Sequence, residues 1–126
     1  MKRRKGIDYK LDIAWSQLVK LRAKGKCEYC GKTTGLNSHH IYSRAKKSTR
    51  WYPENGVCLC VAHHTFSSTF SAHLTPLEFI EWLIEQRGKE NIDDLRIKAN
   101  QTVKYLKHEK EELLQQLLTE IKQLEQ

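Results

Sequence analysis

Two periods of apolar residues are visible in the first half of the chain. From about residue 10 to residue 24 apolar residues recur at helical spacing, and Gly25 follows them, which predicts a helix over 10–24. Segment 36–42 ends in β-branched and aromatic residues and predicts a strand. Over residues 57–61 apolar residues alternate with cysteines, which predicts a second strand. The polar segment 43–56 between them is predicted to be a loop.

Helical signals dominate the middle of the chain. A short helix is expected from about Ala62 to Phe70. Thr75 can cap the next helix, Pro76 suits its first position, and Glu78 completes a capping box. Gly88 is well placed to end that helix.

The C-terminal part has no glycine or proline from about Ile92 onward, which predicts one long helix with a break near Asn100. Its apolar stripe comprises Leu106, Leu113, Leu114, Leu117, Leu118, Ile121 and Leu124. Such a stripe can fold back over the small domain, or it can pair with a second copy to form a homodimer. We favour the fold-back.

A chain of 126 residues has room for one compact domain and an appendage. We expect a basic arm over 1–9, a small domain with its preceding helix over 10–74, and a helical region over 75–126. No run of 18 apolar residues occurs, so no membrane contact is expected. The basic N-terminus is not followed by an apolar signal core, which predicts a cytoplasmic protein.

The net charge of +7 is concentrated in the first half. Residues 1–50 hold 14 Lys and Arg against three acidic residues, whereas residues 51–126 hold eight basic and twelve acidic ones. This asymmetry indicates that the protein contacts a polyanion with one side of its surface. A Lys-rich solvated surface has the same composition, so charge alone leaves the choice open.

Cysteine spacing predicts a metal site. Cys27 and Cys30 are separated by two residues, as are Cys60 and His63, and 29 residues lie between the pairs. Two such pairs supply the four ligands of a tetrahedral structural zinc, and a reducing compartment favours this over disulfides. Cys58 is expected to point away from Cys60 and to be a small buried thiol.

Histidines next to this site indicate further chemistry. His39 and His40 are neighbours on the first predicted strand and must point to opposite faces, so only one of them can lie fully in a metal shell. The other can act as a base, because imidazole titrates near neutral pH. A lone buried histidine is usually an ordinary core residue, but two His-His pairs that flank Asn55, the second being His63-His64, favour a chemical role.

The order Cys-x-x-Cys, His-His-Ile, Asn, Cys-x-x-His-His resembles the HNH endonucleases with a Cys-type zinc site, in particular small HNH proteins of phage genomes. The resembling stretch is about residues 26–66, with similarity also in Ser43-Arg44 and in 48–51. The resemblance implies an α+β, mainly helical fold in which a ββα-metal core with structural zinc is flanked by an N-terminal helix and C-terminal helices. The second pair ends in His63 where the family usually has Cys, and His is an ordinary zinc ligand.

The resemblance also implies residue roles. His39 and His64 would bind a catalytic ion, His40 would be the general base, and Asn55 would bridge the loop backbone and orient that base. In some members of the family this asparagine approaches the metal instead. The family often has another histidine one helical turn after the last one, where this chain has Ser68.

His73 is the candidate third ligand of the catalytic ion. Nine residues after His64, it would lie on the opposite side of an unbroken helix, so it can join the ion only if the helix ends near Ser71. Otherwise it is a surface histidine at a helix end.

The implied activity is metal-dependent hydrolysis of DNA phosphodiester bonds by a phage-encoded endonuclease linked to packaging or recombination. The catalytic ion would be Mg²⁺, Mn²⁺, Ni²⁺ or Zn²⁺. The expected partners are DNA, phage packaging proteins and a second copy of the chain. The candidate phosphate contacts are Arg44, Lys46, Lys47 and Arg50.

A different class of function uses some of the same residues. A non-catalytic zinc-containing DNA-binding or phage assembly module needs the cysteines and the basic residues, but it does not need His40, Asn55 or His64. Their joint presence favours the enzyme.

Overall fold

The computed structural model describes residues 6–126, so residues 1–5 of the predicted arm lie outside it. The described residues form a mainly helical α+β fold with one two-stranded antiparallel sheet, which confirms the expected fold class at that level. The elements are α1 (Ile7–Arg22), β1 (Leu36–His40), α2 (Lys47–Arg50), β2 (Gly56–Cys60), α3 (Pro76–Arg87), α4 (Lys89–Ala99) and α5 (Lys107–Leu124). A 3₁₀ turn covers Pro53–Asn55 and a π-helical turn covers Ala62–Phe66.

The sheet separates two groups of buried side chains. β1 and β2 pair from Leu36 opposite Cys60 to His40 opposite Gly56. Helix α1 packs so closely on Gly56 that an added Cβ would overlap Val19 and lie 2.9 Å from Trp15 Cζ2. Only glycine therefore fits at this position, and α1 is held directly against the end of the sheet.

Cys58 and Cys60 lie in different groups, as expected. Cys58 packs with Leu11, Trp15 and the other buried residues of α1 and α5, whereas Cys60 packs with Cys27 on the other side. Residues two apart share one face of a regular strand. Alternation therefore does not explain the separation, which coincides with the end of β2 at Cys60.

Helix α5 folds back onto α1. Leu117 and Ile121 are buried with the α1 residues, and Lys110 Nζ lies 2.8 Å from Asp8 Oδ1. Helix α4 ends at Ala99 and α5 begins at Lys107, so the predicted break in the helix near Asn100 is confirmed. The homodimer stays a prediction. Among the described residues, no helix has the length and apolar character needed to cross a membrane.

Several local predictions differ from the structure. α1 begins at Ile7, so residues 7–9 belong to the helix and not to an arm. The predicted loop 43–56 contains α2 and the 3₁₀ turn, and the predicted helix 62–70 is only the π-helical turn.

The start of α3 also differs. Pro76 occupies its first turn as predicted, and Gly88, with φ +88°, ends it. The predicted cap and capping box are absent, because no side-chain capping bond is made at Thr75. Its Oγ1 instead accepts the Ser71 N–H (2.8 Å) and donates to the Ser71 carbonyl (2.9 Å).

Candidate functional site

The first cluster of side chains is built on two tight turns. Between α1 and β1, Gly31 adopts a left-handed conformation (φ +81°) and donates its N–H to the Cys27 carbonyl at 2.8 Å. This turn presents Cys27 and Cys30 to Cys60, at the end of β2, and to His63, in the π-helical turn. One ligand atom from each of the four residues lies within 4.8 Å of the other three.

The four ligand atoms are spaced as a metal site requires. Cys30 Sγ lies 3.8 Å from Cys60 Sγ, and His63 Nδ1 lies 3.3 Å from Cys60 Sγ and 3.9 Å from Cys27 Sγ. Ligands of a tetrahedral zinc are roughly 3.5–3.8 Å apart, given Zn–S of about 2.3 Å and Zn–N of about 2.0 Å. The cluster could therefore hold a metal ion.

The Cys27 thiol is prepared for metal binding. Burial raises its pKa, but hydrogen bonds from the Cys60 and Cys30 backbone and from His63 outweigh this and bring the pKa to about 6. The thiolate, which is the form that binds metals, is thus accessible near neutral pH.

The second cluster contains three histidines from three segments. His39 comes from β1, His64 from the π-helical turn and His73 from the segment before α3. Their ligand atoms lie within 4.8 Å of one another, and the two Nε2 atoms of His64 and His73 are 3.2 Å apart. At a metal–nitrogen distance of about 2.1 Å, two ligands of one ion are separated by roughly 3.0–3.4 Å. This cluster too has the spacing of a metal site.

His73 reaches this cluster because the chain reverses direction. The π-helical turn ends at Phe66, and the returning segment donates hydrogen bonds to it, from Ala72 N–H to the His63 carbonyl (2.9 Å) and from His73 N–H to the His64 carbonyl (3.1 Å). The helix that carries His64 therefore ends before Ser71, as His73 required in order to join the same ion.

Two histidines of the second cluster, His39 and His64, have lowered pKa values. Burial, with the neighbouring His64 and His73, lowers the pKa of His39 to about 3. Burial and His73 also lower the pKa of His64. Neutral imidazole is the form that binds a metal ion.

His40 lies on the opposite face of β1 from His39, as predicted. Its ring stacks on Trp15 with 3.8 Å between centroids and 11° between planes. Its Nε2 is 3.0 Å from the Arg50 carbonyl oxygen. Because a carbonyl only accepts, Nε2 carries the proton and Nδ1 keeps the lone pair. Burial lowers the pKa of His40, so the ring is neutral at neutral pH.

Asn55 bridges the segment between the strands. Its side chain is fully buried; Oδ1 accepts the Tyr42 N–H (2.8 Å), and Nδ2 donates to the carbonyls of Tyr42 (3.0 Å) and Thr49 (3.1 Å). Arg50, whose carbonyl contacts His40, directly follows Thr49. The side chain of Asn55 thus anchors the segment that restrains His40.

The four basic residues of the loop differ in accessibility. Arg44, Lys46 and Lys47 are exposed. Arg50 is mostly buried, and its Nε and NH2 donate to Asp12 Oδ1 (3.1 Å) and Oδ2 (2.8 Å). Arg50 is therefore committed to an internal ion pair. Arg44 NH2 also lies 3.1 Å from Asp12 Oδ2, so Lys46 and Lys47 are the freer candidates for phosphate contact.

Sequence analysis missed the aromatic wall between the clusters. Tyr29 stacks on Phe70 with 3.7 Å between centroids, and Phe79 lies 5.3 Å from the His39 ring. Trp82 packs against both Tyr29 and Phe70. In the sequence, only the position of Tyr29 between Cys27 and Cys30 pointed to an aromatic residue beside the cysteine cluster.

A comparison of the chain with protein-family models, curated proteins and solved structures found no match. The resemblance to HNH endonucleases therefore rests on the motif residues alone.

Proposed function

We propose that the protein is a metal-dependent DNA endonuclease of the HNH type. The observation that carries the proposal is the convergence of His39, His64 and His73 from three segments of the chain, with His40 as the next residue of the strand that carries His39. A core that needed histidines only for packing would not direct three ring nitrogens to one point.

Cys27, Cys30, Cys60 and His63 would hold a structural zinc. Four protein ligands complete a tetrahedral shell and leave no position for substrate. The π-helical turn that carries His63 also carries His64. Zinc binding would therefore stabilise the segment that supplies the second cluster.

His40 is the proposed general base. Its Nδ1 lone pair is free because Nε2 donates to the Arg50 carbonyl. The ring also lines an open cleft of about 450 Å³ between α1 and β1, together with Arg44 and Ser38. A neutral imidazole held in one tautomer can take a proton from a water that attacks a phosphodiester. Asn55 supports this role by holding the segment that ends at Arg50.

His39, His64 and His73 would hold the catalytic ion. Three ligands leave coordination positions open, and when bound a divalent ion supplies charge stabilisation for the phosphate and the leaving oxygen. The chain's own contribution is to hold the three imidazoles together and to keep those of His39 and His64 neutral. Burial does this for His39, whose pKa is about 3.

The substrate is proposed to be DNA, bound through its phosphates. Arg44, Lys46 and Lys47 are exposed on the segment that follows the His40 strand. Such side chains neutralise phosphates without reading bases, so we expect weak sequence specificity and strong salt dependence.

Plasmid cleavage with added Mn²⁺ or Mg²⁺ tests the proposal. We compare the parent with His40→Ala and with His108→Ala, a matched control because His108 is exposed on α5. His40→Ala should stay folded and zinc-loaded and lose cleavage by about 10²-fold or more. His108→Ala should cleave like the parent. Equal cleavage by His40→Ala would disprove its role as base. A parent that binds zinc and DNA but cuts nothing would favour the non-catalytic module.

A further inference from the structure

Asp12 is an acidic residue of α1 that accepts hydrogen bonds from three side chains of the segment between β1 and β2. Its carboxylate accepts two hydrogen bonds from Arg50 (2.8 and 3.1 Å), one from Trp51 Nε1 (2.7 Å) and one from Arg44 NH2 (3.1 Å). These three residues all belong to the segment that follows the His40 strand. One carboxylate thus ties this segment to α1.

Arg50 connects Asp12 to His40. Its guanidinium is bound by Asp12, and its backbone carbonyl accepts the His40 Nε2 proton at 3.0 Å. A guanidinium held by two parallel hydrogen bonds has little freedom to rotate. The carbonyl of the same residue is therefore held in place, and with it the hydrogen bond that selects the His40 tautomer.

A second contact from the same helix restrains the His40 ring. Trp15 stacks on it, and Trp15 lies three residues after Asp12, on the same face of α1. Asp12, Trp15 and His40 line the same cleft. Helix α1, which lies outside the stretch that resembles the HNH family, thus restrains both the ring plane and the proton position of His40.

We propose that Asp12 is a positioning residue that keeps His40 in the Nε2-protonated tautomer by holding Arg50. The role of His40 as a base rests on the proposed function, but the tautomer does not. Without this restraint, Nδ1 would carry the proton part of the time and could not accept another.

The tautomer of His40 is read directly from two-bond ¹H–¹⁵N correlation spectra of the imidazole rings in full-length, zinc-loaded protein. We compare the parent with Asp12→Asn, which keeps the shape and removes the charge. The matched control is Asp8→Asn, because Asp8 lies on the same helix and forms an ion pair with Lys110 of α5. Arg50→Gln breaks the proposed link from its other end and keeps the carbonyl.

The parent and Asp8→Asn should show one His40 tautomer, protonated at Nε2. Asp12→Asn and Arg50→Gln should each show both tautomers, and the double variant should add nothing further. A single Nε2-protonated tautomer in folded Asp12→Asn would overturn the proposal. Loss of the native fold in both Asp12→Asn and Arg50→Gln would assign Asp12 a purely structural role and would also overturn it.

Cleavage assays separate this inference from the proposed function. If the parent cuts DNA, Asp12→Asn should lower kcat by roughly tenfold with little change in KM, since only the base is disturbed. Asp8→Asn should leave both constants unchanged. If His40→Ala abolishes cleavage, an unchanged kcat in Asp12→Asn would overturn the positioning role; if His40→Ala cuts like the parent, the base assignment fails and the tautomer result decides. If the parent does not cut, the proposed function fails, and the tautomer result alone decides the role of Asp12.

Discussion

The two clusters of side chains that could hold a metal ion share one short turn and differ in almost everything else. His63 and His64 are neighbours in the π-helical turn, and each belongs to a different cluster. The cysteine cluster has four ligands, three of them thiols, and Cys27 and Cys60 in it are buried. The histidine cluster has three imidazoles, and His73 is exposed.

This difference separates two kinds of chemistry at neighbouring residues of one turn. Four ligands with thiolate charge make a closed site whose main effect is on folding. Three imidazoles, one of them exposed, make an open site that can exchange its remaining ligands. We therefore expect damage to the first cluster to appear as loss of stability, and damage to the second as loss of ion binding and of cleavage.

The largest expected effect is on stability, from Cys27→Ala. Removing one of four ligands and leaving the rest without a full shell should lower the free energy of unfolding by roughly 4 kcal/mol or more. Urea denaturation followed by circular dichroism gives this free energy, and elemental analysis gives the zinc content. Both should fall together.

Cys58→Ala is the matched control, because Cys58 is just as buried but lies in the other core group. It should cost only about 1–2 kcal/mol and keep one zinc per chain. If Cys27→Ala were as stable and as zinc-rich as Cys58→Ala, the cluster would not be a structural metal site.

The next effect is on ion binding, from His64→Ala. This variant should keep its zinc and most of its stability, but it should lose Mn²⁺ binding at the histidine cluster and about 10²-fold in cleavage. Isothermal titration with Mn²⁺ measures the binding without reference to activity. His108→Ala, on the exposed side of α5, should bind like the parent. Parent-like Mn²⁺ binding by His64→Ala would show that the histidines do not form an ion site.

Local spacing was sufficient to predict the parts of the site that depend on neighbours in sequence. The two-residue spacers brought Cys27 and Cys30 to one point, and strand alternation separated His39 from His40. Both rules act within a few residues, so no knowledge of the tertiary fold is needed. Apolar periodicity predicted the helix over 10–24, which the structure places at Ile7–Arg22, but it left open whether α5 folds back or pairs with a second copy.

The remaining parts depend on contacts between distant segments. Whether His73 reaches His64 depends on where the helix ends, which hydrogen bonds from the returning segment decide. Thr75 was expected to cap α3 but bonds to Ser71. The sequence indicates Arg50 as a phosphate contact, but in the structure its guanidinium is bound by Asp12, which lies 38 residues earlier. Periodicity and spacing carry no information about such pairs.

The smallest of the three effects is a pH dependence of stability to which His39 of the histidine cluster should contribute. Folding lowers the pKa of His39 to about 3 from an ordinary value of 6.5. Between these two values the unfolded chain binds a proton that the folded chain does not. Stability is therefore complete above about pH 6.5 and falls as the pH is lowered toward 3, by at most about 1.4 kcal/mol per pH unit.

Urea denaturation of protein loaded with one equivalent of zinc, between pH 7.5 and pH 5, measures this slope. His39→Asn cannot titrate and should show a shallower fall, whereas His108→Ala should keep the parent slope. Zinc loss from the cysteine cluster lowers stability in every variant, so it cancels in the difference between parent and His39→Asn. That difference is the contribution of His39. If the two slopes are equal, His39 does not stay neutral in the folded protein, and the contrast between a closed thiolate site and an open neutral one fails on the histidine side.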